Sequence, residues 1–266
     1  MELLLLNQSN YIRIGIFLLL LILLIIWEII KPDHKLSVSR KERWISNLMV
    51  VFLNNIILRI IFPYSAILFS DIVIENKWGL LQIYNINGYI SIILGILVLD
   101  FIIYLQHVVF HSIPLLWKLH RMHHADLELD VTSGTRFHPI EIIISMGIKF
   151  GAILLFGINP ITVLLFEIIL NGMAMFNHSN IYINPIVNKY LKYLFVTPSM
   201  HRIHHSIKIS EHNTNYGFNL SLWDRLMGTY NESFKNKLIL GLPNFRDLKY
   251  SKLHFMLIIP FIEETE

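Results

Sequence analysis

Long apolar runs separated by short polar stretches dominate the chain and set its architecture. The first run, Ile14 to Ile30, is long enough for a helix to cross a bilayer if Tyr11 and Trp27 sit at the interfaces. It does not read as a cleaved leader, because no basic region precedes it and no small-residue cleavage site follows it. Its basic flank comes afterwards, as Lys31, Lys35, Arg40, Lys41 and Arg43. Positive charge favours the cytoplasmic side, so residues 31–45 are expected there and the N-terminus outside. A second run from Leu48 to Phe69 is interrupted by Asn54, Asn55 and Arg59, which predicts a helix buried against neighbours or a broken segment. Residues 71–87, with Asp71, Glu75, Lys77 and Trp78, are expected as a short external loop.

The third run, Tyr89 to about Phe110, returns the chain to the cytoplasmic side. Two apolar stretches between Ile140 and Met175, split by Gly157, Asn159 and Pro160, predict a helical hairpin that enters the membrane and returns. The last stretch, Tyr250 to Ile262, is short and interrupted by Pro260, so it is expected at the interface or packed on the domain. The predicted fold is all-α and polytopic. It has four to five transmembrane or membrane-embedded helices and a cytoplasmic, histidine-rich helical cap.

Composition supports the membrane reading. Of 266 residues, 54% are hydrophobic and only 15% are charged, where a soluble domain carries about 25% charged residues. The mean hydropathy is +0.54. The net charge of +3 is modest, and no basic-aromatic stretch points to nucleic acid. Cysteine is absent, which excludes disulfides, thiolate haem ligation and protein-held iron–sulfur clusters. Histidine and carboxylate are the strong metal ligands that remain.

Eight histidines form three tight clusters: His107 with His111, His120 with His123 and His124, and His201 with His204 and His205. Spacings of three and four residues share a helix face, and imidazole is a common transition-metal ligand, so each cluster is expected to present its nitrogens to a common point. Asp100, Tyr104, His107 and His111 follow one another at steps of four, three and four, a single helical stripe. An acid at that depth is costly unless paired or functional, so Asp100 or Tyr104 is expected to orient a ligand by a hydrogen bond. His178 follows the return helix of the hairpin and is a ninth candidate ligand. His138 and His212 are possible ligands, while His34 and His254 read as solvated or interfacial.

This many imidazoles exceeds what one zinc ion takes and suits two ions with open positions. Iron in imidazole-rich ligation with vacant sites activates dioxygen, although zinc binds the same ligands. A hydrolase would be expected to add a carboxylate base, as in H-E-x-x-H, or a nucleophilic serine elbow, and neither is present.

At these residues the chain resembles the fatty acid hydroxylase / sterol desaturase superfamily of integral-membrane di-iron enzymes. The likeness runs from about Asp100 to Tyr230. It includes the three histidine boxes, Arg136-Phe137-His138-Pro139-x-Glu141, Phe176-x-His178-Ser179-Asn180, Asn215-Tyr216-Gly217 and Trp223-Asp224-Arg225-Leu226. The resemblance implies two iron ions held by the box histidines with His178, zinc being a possible substitute in purified samples. Asp100, Tyr104 and Glu141 would lie behind the ligands. It implies hydroxylation or desaturation of a lipid C–H bond with O2 and electrons from a separate donor protein, because no cytochrome-type domain is fused to the chain. The corresponding division is an anchor over residues 1–88, a catalytic domain over 89–231 and an interfacial tail over 232–266. Two alternatives are a zinc-dependent membrane hydrolase and a non-enzymatic metal-binding or transport protein of the membrane.

Overall fold

The structure is a computed structural model that describes Leu6, residues 8–233 and residues 238–263. Among the described residues it is all helical, with isolated bridges in place of strands. The first helices are α1 (Ser9–Ile30), α2 (Arg40–Ile61), α3 (Ala66–Glu75), the single turn α4 (Leu80–Ile83) and α5 (Gly88–Ser112). They are followed by α6 (Pro114–His124), α7 (Pro139–Phe156), α8 (Pro160–His178), α9 (Pro185–Leu191) and α10 (Pro198–His204). Short helices α11 (Ile209–His212), α12 (Leu222–Leu226) and α13 (Leu253–Ile258) complete the chain.

Proline sets many of these boundaries. Pro114, Pro139, Pro160, Pro185 and Pro198 each open a helix, where the missing N–H is no loss and the fixed φ suits the first turn. Asn159 caps α8 by accepting from the Thr162 N–H at 2.9 Å. Pro63 breaks the second apolar run, and Ser65 then caps α3 by accepting from the Leu68 N–H.

Among the described residues, five segments are long and apolar enough to cross a membrane. In α1 only 17% of the most apolar window is buried, and Ile14, Leu19, Ile22, Leu23 and Ile26 point outward. An apolar face that extensive suits a lipid surround. One set of charges within the stack is paired: Glu167 of α8 meets Lys149 of α7 at 2.7 Å and Arg13 of α1 at 3.2 Å.

The segment 71–87 differs from the expected loop. Asp71 and Glu75 continue α3, and α4 follows almost at once. This segment is held down by the α7–α8 turn. A Cβ on Gly79 would lie 2.0 Å from the Gly157 nitrogen, and both glycines have positive φ, at 93° and 66°. The two turns fit only because neither carries a side chain. At the opposite end of the stack lie the ends of α1, α5 and α8 and the beginnings of α2 and α7. The C-terminal segment packs there too, with Met256 and Ile259 buried against Met122 and Val50.

Candidate metal centre

All nine histidines of the three boxes and His178 gather at this second end of the stack. They divide into two groups, His107, His111, His120, His124 and His204, and His123, His178, His201 and His205. Within each group one ligand atom per residue lies within 4.8 Å of all the others. The expectation of one common point per box is therefore corrected: the second and third boxes each serve both groups. Adjacent residues on a helix are about 100° apart, so His123 and His124, or His204 and His205, cannot face one point. His120 and His124, one turn apart on α6, join the first group, while His123 turns to the second. On α10 and the residue that caps it the sharing is reversed, with His201 and His205 in the second group and His204 in the first. The groups are adjacent, since the His124 and His205 rings stack at 4.4 Å.

The donor set fits metal ions. His178 Nε2 lies 3.0 Å from His123 Nε2, 3.0 Å from His201 Nε2 and 3.2 Å from His205 Nε2. One proton there could bond to only one of three facing nitrogens, whereas a cation at the centre satisfies all four. Metal–nitrogen bonds of about 2.1 Å place neighbouring ligand nitrogens about 3 Å apart. In the first group His107 Nε2 and His120 Nε2 are 3.1 Å apart. The Nε2 atoms of His111, His124 and His204 are buried with no hydrogen-bond partner among the described residues, a costly state unless something else binds them. Burial, and after it the mutual repulsion of the imidazoles, holds His123, His124, His201, His204 and His205 well below the ordinary imidazole range. They are neutral at pH 7, the form that ligates.

The far sides of the rings are held by oxygen. Nδ1–H of His107 donates to the Tyr216 carbonyl at 2.7 Å and that of His204 to the Thr214 carbonyl at 2.8 Å. His178 donates to the Ala174 carbonyl at 2.7 Å, and His120 to Glu141 Oε1 at 2.7 Å. The His111 Nδ1 lies 3.2 Å from Asn213 Oδ1.

Asp100 and Tyr104 do not take the expected place against a histidine. Asp100 accepts from Trp223 Nε1 at 2.8 Å and the Leu220 N–H at 3.3 Å, and Tyr104 bonds to Thr229 Oγ1 at 2.9 Å. They sit one and two turns above His107, where α5 meets the 215–229 segment instead of the ligands. Tyr104 connects to the histidines through Thr229, whose hydroxyl donates to Asp224 Oδ1 at 2.7 Å. Asp224 accepts from the N–H groups of Tyr216 and Gly217 at 2.7 and 2.9 Å, which fixes the loop that carries the Tyr216 carbonyl. Asn215 enters that loop with φ at 55°, a conformation Asn tolerates better than most residues.

The N-terminal helices brace the same site. Arg43, grouped with the basic flank in sequence, is fully buried and forks onto Asp126 at 2.9 and 2.8 Å and onto Asp130 at 2.6 Å. Burial alone would raise the Asp126 carboxyl, but Arg43 and Arg136 hold it below its usual range. Glu28, at the end of α1, accepts from the N–H groups of Val131 and Asn180 at 2.8 and 2.7 Å. Arg202, between two box histidines, bonds to Asp33 and to the Ser179 carbonyl. Sequence reasoning missed these partners. The lone acid ending the first apolar run and the Asp126–Asp130 acidic stretch directly after the second box were the available signals. The Tyr216 and Thr214 carbonyls carry no side-chain signal at all.

His138 and His212 belong to neither group. His138 caps α7, its Nδ1 accepting from the Ile140 N–H at 3.2 Å, and its Nε2 faces the Leu257 carbonyl. His212 stacks on Trp117 at 5.2 Å, with the His111 ring 5.9 Å away. His34, expected to be solvated or interfacial, is half-buried and lies 3.2 Å from Glu128 Oε2. His254 is exposed.

The fatty acid hydroxylase family matches residues 92–229. The chain is 33% identical over 141 residues to ornithine lipid hydroxylase OlsE of Rhizobium tropici, covering 53% of this chain and 41% of that protein. It is 29% identical over 182 residues to Delta(7)-sterol 5(6)-desaturase of Eremothecium gossypii, covering 64% and 48%. To alkylglycerol monooxygenase of Xenopus tropicalis it is 30% identical over 143 residues, covering 54% and 31%. The chain thus spans less than half the length of these relatives. No solved structure matches it significantly. Family and histidine groups alike point to metal binding.

Proposed function

This chain belongs to the fatty acid hydroxylase family, and on that premise we propose that it is a multi-pass membrane oxidoreductase that hydroxylates or desaturates a lipid C–H bond. Its two imidazole groups would hold two iron ions, with His107, His111, His120, His124 and His204 around one and His123, His178, His201 and His205 around the other. Iron in such ligation with vacant positions supplies dioxygen activation, and a separate electron-donor protein supplies the two electrons. The observation that carries this reading is the division of the nine imidazoles between two adjacent points by interleaved helix faces.

The chain's own residues prepare the site. Nδ1–H bonds to carbonyls and to Glu141 fix the ring orientations and leave Nε2 lone pairs facing inward. Phe137 stacks on His123 at 4.4 Å, and Phe110 and Phe218 lie against His120 and His107, so the rings face an apolar, water-poor surround. The lipid substrate would approach from the bilayer along the outward apolar faces of the spans. The basic residues Lys31, Lys35, Arg40 and Lys41 support a cytoplasmic placement of the histidine end.

Lipid profiling of cells with and without the chain tests this. A lipid class should gain one oxygen or lose two hydrogens when the chain is present, and His120→Ala and His204→Ala should abolish the change. A lipidome indifferent to the chain would contradict the proposal and favour a metal-binding or transport role.

A further inference from the structure

The two imidazole groups differ in how well the fold orients them. In the first, four of five rings have an oxygen acceptor for Nδ1: the carbonyls of Tyr216 and Thr214, the Asn213 amide oxygen and the Glu141 carboxylate. Only His124 lacks one among the described residues. In the second, His178 alone is held, by the Ala174 carbonyl, while the Nδ1 atoms of His123, His201 and His205 have no partner among the described residues.

The difference bears directly on metal affinity. A ring with its far nitrogen bonded is locked in tautomer and rotation before a metal arrives, whereas an unbonded ring must be ordered by the metal itself. Losing one such partner typically weakens binding about 10–100-fold. The first group also has a fifth donor and a carboxylate behind one ligand. Glu141 Oε2 has no partner among the described residues, so nothing competes there with His120 for the carboxyl group. Asp126, beside the second group, is already held by Arg43 through both oxygens. His111 is the one residue of the nine that is partly exposed.

Resting on the metal-centre reading above, we propose that the two positions are unequal. The five-imidazole position of His107, His111, His120, His124 and His204 fills first and binds more tightly, and Glu141 is the positioning residue that contributes most to the gap. The four-imidazole position fills second and is the exchangeable one.

Cobalt(II) distinguishes the two positions by its visible spectrum, since four-coordinate sites absorb far more strongly than five-coordinate ones. The full chain in lipid nanodiscs, stripped of metal and titrated anaerobically with cobalt(II), should show weak five-coordinate bands up to one equivalent. Strong four-coordinate bands should grow only towards the second, with dissociation constants separated by about 100-fold. Glu141→Gln, nearly the same shape, should weaken the first phase about 10–100-fold and leave the second in place. His205→Ala should remove the second phase and keep the first. Strong bands appearing first, both phases rising together, or an unmoved first phase in Glu141→Gln would overturn the proposal while leaving a two-metal centre standing. No binding of cobalt in the parent chain would instead overturn the metal-centre reading itself.

Discussion

Replacing Arg43 by Met keeps most of the apolar stem and removes only the guanidinium. In the parent, that group bonds to both oxygens of Asp126, to Asp130 at 2.6 Å and to Ser133 Oγ at 2.9 Å, with all three charged side chains fully buried. Without it, Asp126 keeps the Ser133 hydroxyl at 2.7 Å but has as its cation the more distant Arg136, at 3.9 Å, and Asp130 loses its cation. Removing one partner of a buried ion pair costs about 3–5 kcal/mol, because a charge is left in a poor dielectric. Unfolding of the purified protein in detergent, followed by denaturant or heat, measures the loss. Because the ion pairs tie α2 to the loop directly behind α6, metal content should fall with stability. Adding Asp126→Asn and Asp130→Asn to Arg43→Met should recover most of the loss, since the penalty comes from uncompensated charge. A variant within about 1 kcal/mol of the parent, or a triple variant no better than the single one, would refute the reasoning.

Other perturbations separate structural from chemical roles. Gly79→Ala forces a Cβ against the Gly157 nitrogen at a left-handed φ; a loss of about 2–4 kcal/mol is expected, and unchanged stability would show that the two turns are not tightly apposed. His138→Ala should cost about 1 kcal/mol through its lost cap and leave metal stoichiometry untouched; a variant short of one metal would return His138 to the ligand set. For pH, His123, His124, His201, His204 and His205 have depressed native values, caused first by burial. The unfolded chain takes up protons near pH 6.5 while the native state does not, so metal-free stability is full above that value and falls as pH drops below about 6.5. Unfolding midpoints at pH 8 and pH 5 that coincide would contradict the burial of neutral imidazoles.

Much of the fold was legible because bilayer crossing imposes a simple length and polarity code. The runs ending at Ile30 and beginning at Tyr89, and the hairpin turn at Gly157, fall where hydropathy and proline place them. The 71–87 segment misled because its charges and Trp78 look like a solvated loop, and nothing local announces the fit of Gly79 onto Gly157. The histidine boxes were visible as spacings, but not how they divide between two points. That follows from the angular step between neighbouring residues and from where α5, α6, α8 and α10 meet. Asp100 and Tyr104 share the stripe of His107, yet a stripe gives direction and not depth, and their partners Trp223 and Thr229 are over 120 residues away in sequence. Arg43 showed the opposite failure, a residue grouped with the basic flank that is in fact sequestered against two aspartates.

The central claim is that nine imidazoles form two adjacent metal positions, and metal stoichiometry tests it most directly. Protein produced with iron and purified without chelator should contain about two metal ions per chain. The double variant His120→Ala/His204→Ala, which leaves three imidazoles in the first group, and the double variant His201→Ala/His205→Ala, which leaves two in the second, should each retain about one. One ion or none per chain in the parent, or two in both variants, would contradict it.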